Sequence, residues 1–316
     1  MVKDSKPLVS IITPIYNRAD LIEETILSVL DQDYPNIEYI VLDDGSTDKT
    51  LEVVKKYENR IILKNHKNMG ETRTVNKGFS MARGEIVCVV SSDDPLLPKA
   101  VSTAVGFLNK NRDVIIAYPD WDMIDENAKK IDHIKTFQYS YADMLRWHHC
   151  FPGPGTFIRK SVIEDLKGRD PQFKYVGDLD FWLRAGLIGN FARIPKTLAT
   201  FRVHSDSASM SAKGRAMAVE HIKLVNKIYS LPNLPKGVKK LKKEAYSSAH
   251  YIAGVVAGEK LSSPRMKHYL LAFLQKPSKY LGGEYKDRAK VIVSEILKQP
   301  LKIKDALIRR KSANEK

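Results

Sequence analysis

Apolar residues follow two alternating periods along the first hundred positions, and the alternation predicts an architecture. Leu8 to Thr13, Tyr39 to Leu42, Ile61 to Leu63 and Glu85 to Val90 are short runs rich in β-branched residues, and they read as buried parallel strands. Between them the spacing becomes helical. Asp20 and Glu23 have the three-residue spacing of a capping box, and Leu21, Ile22, Thr25, Ile26, Val29 and Leu30 then share one stripe. Further helices are expected over Asp48 to Tyr57 and Glu71 to Arg83. Strand, helix and strand repeated in this way predict an α/β fold, a mostly parallel sheet with helices on both faces.

Beyond Pro98 the pattern loosens. Val114 to Tyr118 reads as a strand, the breaker-rich Cys150 to Gly155 as a loop leading into Thr156 to Arg159, and Gly177 to Gly186 as a helix. From about Arg215 long helical patterns are interrupted at Leu231-Pro232-Asn233-Leu234-Pro235 and at Ser262-Ser263-Pro264. The expected organisation is therefore an α/β domain over residues 1–210 followed by a helical region over residues 211–316.

Charge sharpens that division. From Ser211 to Lys316 there are 24 Lys and Arg against 8 Asp and Glu, whereas residues 1–210 hold 28 against 29. The basic excess thus lies in the last third, densest at Lys236 to Lys243 and Lys302 to Lys311, and an anionic membrane surface or polyanion is an expected partner. Apolar and basic residues alternating at helical spacing in the second stretch suit an interfacial helix. No RNA or DNA motif accompanies the charge, so nucleic acid is not an expected partner. Cys88 and Cys150 are the only cysteines and lack CxxC spacing, which implies a reducing compartment. Neither a signal peptide nor an apolar run near the ~20 residues of a membrane span is seen, and the expected location is cytoplasmic, with peripheral membrane attachment through the basic tail.

The chemistry is expected where the strands stop. One run ends in Asp43-Asp44-Gly45-Ser46 and another in Ser91-Ser92-Asp93-Asp94, and open α/β sheets bind ligands at the carboxyl ends of their strands. Carboxylates gathered there repel unless they hold a divalent cation, a ribose or base, or a proton in transit, which points to nucleotide chemistry. No Gly-x-Gly-x-x-Gly follows the first strand, weighing against a dinucleotide fold and a P-loop. The adjacent His148-His149 cannot face one centre from a regular strand, so no metal site is expected there.

Val9-Ser10-Ile11-Ile12-Thr13-Pro14-Ile15-Tyr16-Asn17, Asp43-Asp44-Gly45-Ser46-Thr47-Asp48, Ser92-Asp93-Asp94 and Gly177-Asp178-Leu179-Asp180-Phe181-Trp182-Leu183-Arg184 occur in the order seen in family 2 glycosyltransferases. The resemblance spans about residues 8 to 210. It implies a GT-A type α/β/α sandwich that transfers a sugar, with inversion, from a nucleotide-sugar donor, a UDP-sugar by preference, to a glycan or lipid-linked acceptor. By the same resemblance Pro14 and Tyr16 pack on base and ribose, Asp44 recognises the base with Asp43 as its partner, and Asp93 contacts ribose or donor sugar. Asp94 then corresponds to a ligand of Mn²⁺ or Mg²⁺, although Ser91 stands where the commoner form of the motif has its first acid. Asp178 corresponds to the general base, with Asp180 in a structural role. Phe201-Arg202-Val203-His204 resembles the family's Arg-x-His segment, which implies phosphate binding by Arg202 and metal ligation by His204. Arg73 is placed near the expected path of the donor phosphates. A nucleotidyltransferase is the rival enzyme class, and a non-catalytic module with a polyanion-binding tail the rival outside enzymes. The nucleotidyltransferase would want a Gly-rich basic loop after the first strand, where Thr13-Pro14-Ile15-Tyr16 stands.

Overall fold

The computed structural model describes residues 6–204, 214–257 and 263–278. It divides into two compact units, residues 1–141 with 149–211 and residues 142–148 with 212–316. The short stretch 142–148 belongs with the later residues, so the division is not a single cut near Ser211.

The first unit is built on β1 (Val9–Ile15), α1 (Ile22–Leu30), β2 (Ile37–Asp43), α2 (Thr50–Lys55), β3 (Ile62–Asn65), α3 (Glu71–Met81) and β4 (Ile86–Val89). These four strands are mutually parallel in the order β3-β2-β1-β4, with β1 central. Val9, Ile11, Val41, Ile86 and Cys88 pack with Ile22, Ile26 and Val29 of α1. Ile12 and Leu42 instead meet α3. A Cβ on Gly78 would lie 2.5 Å from Ile12 Cγ2, so glycine there lets the α3 backbone approach the sheet. The expected capping box does not form. The α1 N-cap is Leu21 without a side-chain cap, and the Arg18 carbonyl receives the Leu21 and Ile22 N–H groups instead.

The remainder adds α4 (Ala100–Lys110), β5 (Val114–Ile124), β6 (Lys130–Ile134), α5 (Tyr141–Trp147), β7 (Phe157–Arg159), α6 (Lys160–Leu166), α7 (Gly177–Ala185) and β8 (Asn190–Arg202). β7 runs antiparallel between β4 and β5, β6 is antiparallel to β5, and β8 is parallel to β5. The sheet is mixed, with its parallel block at β1 to β4. Pro195 disguises β8 in the sequence. Pairing jumps from Pro119↔Ile194 to Asp120↔Thr197, so Pro195 and Lys196 stand outside the ladder and cost it no hydrogen bond.

The second unit contains α5 apart from Tyr141, with α8 (Gly214–Ser230), α9 (Lys236–Lys240), α10 (Lys242–Val256) and α11 (Ser263–Gln275). Arg146 of α5 is anchored in it by Glu244 at 2.7 Å and Asp143 at 2.6 Å. His148 is not in a strand. It follows α5 with φ 52° and its Nε2 lies 2.9 Å from His221 Nδ1, while His250 and His268 form a similar pair at 3.1 Å. Lys302 to Lys311 lie outside the described residues. No described helix is long and apolar enough to cross a membrane.

Candidate active site

Because β2, β1 and β4 are parallel neighbours, their C-terminal ends open on one edge of the sheet. Ile15 pairs with Asp43, so the turn leaving β1 lies beside the first acidic turn. Pro14 is the penultimate residue of β1 rather than part of that turn, and Tyr16, just beyond the strand, is 45% exposed. Asn17 then adopts φ 51°, a conformation asparagine tolerates. Its N–H reaches Ser46 Oγ (3.0 Å) and its Oδ1 accepts the Thr47 N–H (2.8 Å). Arg18 N–H donates to Thr50 Oγ1 (2.7 Å), and Arg18 Nε lies 3.9 Å from Asp93 Oδ2. Asn17 and Arg18 therefore connect the two acidic turns. No glycine-rich phosphate loop marks this position in the sequence; the signal there is an asparagine and an arginine directly after a strand.

Asp43 and Asp44 are both buried but differently engaged. Asp43 accepts the Ser46 N–H on Oδ1 (3.2 Å), and no described residue hydrogen-bonds its Oδ2. Asp44 has the Met69 N–H on Oδ1 (2.7 Å) and the Gly70 N–H on Oδ2 (2.9 Å), with His66 Nδ1 at 3.4 Å. Both of its oxygens serve the loop that starts α3. Asp44 thus combines its expected place at the base with a structural role, while Asp43 keeps an oxygen that no described residue hydrogen-bonds.

At the second turn, Asp94 is buried and accepts the Arg202 backbone N–H on Oδ1 (2.8 Å), while Asp93 Oδ2 lies 2.9 Å from His204 Nε2. Burial, reinforced by the Asp93 charge, pushes the Asp94 carboxyl up to about 7 against the opposing hydrogen bonds from Arg202 and Ser91. Arg202, expected to bind phosphate, has its guanidinium engaged by the protein itself. Its side chain is 1% exposed, with Nε on the Asp93 carbonyl (3.0 Å), Nη1 on the carbonyls of Asp125 (2.9 Å) and Glu126 (3.2 Å), and Nη2 on Glu24 Oε2 (2.5 Å). The guanidinium fork clasps the acidic turn from behind. Arg73 is exposed on α3 with Nη1 3.5 Å from the Met69 carbonyl, and no contact brings it to either acidic turn.

Asp178 occupies the first turn of α7, where Val176 is the N-cap, and is partly exposed. Its Oδ1 accepts the Leu179 N–H (2.7 Å), and the Cys150 thiol points at Oδ2 from 3.8 Å. Burial and then the Asp178 charge hold that thiol well above its ordinary range. Asp180 is fully buried, and Arg184 grips its Oδ2 at 2.8 Å. The start of α7 is fixed by α3: Thr72 Oγ1 donates to the Phe173 carbonyl (2.9 Å), and a Cβ on Gly177 would sit 3.0 Å from Thr72 Oγ1. Asp44, Gly70, Thr72 and Gly177 thus form a relay that positions Asp178, and neither Thr72 nor Cys150 stood out in the sequence.

No group of three or more His, Cys, Asp or Glu is arranged to hold a metal ion among the described residues. The donor chemistry nevertheless suits a hard divalent cation carried in with a diphosphate, which needs only one or two protein carboxylates. Asp94, whose ionised form is penalised by its surroundings, is the group such a cation would relieve, with Asp93 and His204 beside it.

The glycosyl transferase family 2 profile matches residues 10–167. The chain is 28% identical over 304 residues to an uncharacterized glycosyltransferase of Rickettsia prowazekii, covering 92% of this chain and 90% of that one. An uncharacterized glycosyltransferase of Methanocaldococcus jannaschii is 28% identical over 188 residues, 57% of this chain and 64% of that one. Among solved structures, the fold is similar to that of S. aureus TarS 1-349 in complex with UDP-GlcNAc, with a TM-score of 0.67, 19% identity, and coverage of 86% of this chain and 82% of that one. The mannosyltransferase PcManGT from Pyrobaculum calidifontis, in complex with GDP-Man and Mn²⁺, gives a TM-score of 0.60 at 17% identity, covering 93% of this chain and 87% of that one. A profile match over half the chain and a shared GT-A type architecture together mean that this protein is a glycosyltransferase and belongs to glycosyl transferase family 2.

Proposed function

We propose that the protein transfers a sugar, with inversion, from a nucleoside-diphosphate sugar, by preference a UDP-sugar, to a hydroxyl of a glycan or lipid-linked acceptor. The observation that carries this reading is the convergence of two strand-end carboxylate pairs across β1, tied together by Asn17 and Arg18. Tyr16 offers an exposed ring to the base and ribose, and the available oxygen of Asp43 accepts an N–H from the base edge. Arg18, replacing Arg202 in this role, reaches the diphosphate from beside Asp93. Asp94, with Asp93 and His204, would hold Mn²⁺ or Mg²⁺, and the cation would offset negative charge on the departing diphosphate.

Asp178 takes the proton of the acceptor hydroxyl as its oxygen attacks the anomeric carbon from the face opposite the diphosphate. The new C–O bond forms as the anomeric C–O bond to phosphate breaks, and the electron pair leaves with the diphosphate. Asp178 is partly exposed and therefore accessible to an acceptor, whereas Asp180 is sealed against Arg184. The test is turnover of a panel of UDP-sugars with water or simple glycosides as acceptor. Asp178→Asn is expected to lower turnover by roughly 10²-fold or more with nucleotide affinity nearly unchanged. Comparable turnover in the variant would move the base elsewhere.

A further inference from the structure

Among its described residues, the second unit carries a block of positive charge, Lys236 to Lys243, that no acid neutralises. From His221 to Lys243 the chain has seven lysines and no acid. Lys236, Lys239, Lys240, Lys242 and Lys243 are all exposed, on α9 and the first turn of α10. α9 is anchored: Leu234 and Val238 are buried, and Tyr229 Oη donates to the Val238 carbonyl at 3.1 Å. None of the five lysines forms an ion pair among the described residues, and Lys242 instead lies 5.9 Å over the rings of Tyr229 and Tyr246. The next acid, Glu244, has Oε2 on Arg146 (2.7 Å) and Oε1 on Lys276 (3.1 Å), so its charge is already matched.

The Glu244–Lys276 pair also brings the C-terminal end of α11 to the first turn of α10. On α11, Leu270 and Leu274 lie one turn apart and are 49% and 61% exposed, with exposed Lys267 three residues earlier. Lysines with a short apolar pair at the same end of a helical unit match what an anionic bilayer requires: the ammonium groups meet headgroups while the leucines enter the interfacial layer. A soluble polyanion would use the lysines and leave the leucines without a role. We propose that α9, with the adjoining ends of α10 and α11, is a docking surface for an anionic lipid membrane. This does not depend on the donor, metal or base assignments.

The test is co-sedimentation of the full chain with vesicles of phosphatidylcholine alone or mixed with phosphatidylglycerol. Binding is expected only to the mixed vesicles and should fall as salt rises. Replacing the five lysines by glutamine should weaken it by about tenfold or more, whereas replacing them by arginine should preserve it. Leu270→Ser with Leu274→Ser should weaken vesicle binding but leave binding to soluble polyphosphate unchanged. Undiminished vesicle binding by the glutamine variant would overturn the proposal and move attachment to other basic residues. Absence of binding to anionic vesicles, or polyphosphate binding that displaces vesicles while the leucine variant behaves as wild type, would also overturn it. Unchanged melting temperatures of these surface variants provide the folding control.

Discussion

Charge identifies residues near the crevice, and hydrogen bonding decides which of them the fold has already engaged. Arg202 donates to three main-chain carbonyls, so Arg202→Met should cost about 3 kcal/mol or more by leaving buried acceptors unpaired, and it should loosen the Asp93-Asp94 turn. Chemical denaturation measures the first effect, and nucleotide affinity measures the second. Asp94 provides a test with a defined sign. Its carboxyl is raised to about 7 in the folded state, so its contribution to stability is greatest below the ordinary carboxylate range and is lost as pH rises through about 7. Asp94→Asn should therefore melt higher than wild type at pH 8 and show little difference at pH 4 without added cation, while losing cation-dependent nucleotide binding. A variant that melts lower at pH 8 would contradict the buried, like-charged setting. The acidic turns were legible as sequence because turn residues follow apolar runs. Which aspartate of each pair is available was not, since it depends on backbone donors as distant as Met69, Gly70 and Arg202.

Elements carry this logic across the unit. Asp44 holds residues 69 and 70, these start α3, and α3 holds the loop before α7. Asp44→Ala should thus lower stability by about 2–3 kcal/mol and reduce turnover by loosening these contacts. A variant with intact stability and weakened base selectivity would leave Asp44 a ligand role alone. The β-α-β pattern through β4 was legible because buried strands and amphipathic helices have distinct periods. β8 was not, because Pro195 reads as a breaker and only the skipped register with β5 accommodates it. β6 was equally hidden, its residues being largely exposed and held by cross-strand pairs such as Asp122 with Lys130 and His133. In the helical unit, burial holds His221 and His250 down at about 4. Both stay neutral in the folded state while the unfolded chain takes up protons below about 6.5, so stability should fall as pH drops from 6.5 through 4. His221→Gln, which retains a hydrogen-bonding side chain without a titration in that range, should make the fall shallower in a melting series.

At the scale of the molecule, the chain combines a near-neutral α/β unit that carries the chemistry with a helical unit that carries the positive charge. The charge imbalance was readable from composition, but the inclusion of residues 142–148 in the helical unit was not. Arg146 acquires its structural meaning only when Glu244, 98 residues later, is beside it. The central claim concerns the first unit: a nucleoside diphosphate and a divalent cation bind together at the ends of β1, β2 and β4. A thermal-shift titration with UDP, with and without Mn²⁺, on wild type and Asp94→Ala tests it most directly, because a ligand that binds the native state raises its melting temperature. The account predicts a rise with UDP that Mn²⁺ enlarges in the wild type and does not enlarge in Asp94→Ala. An equal rise in both proteins regardless of Mn²⁺, or no rise in either, would contradict it.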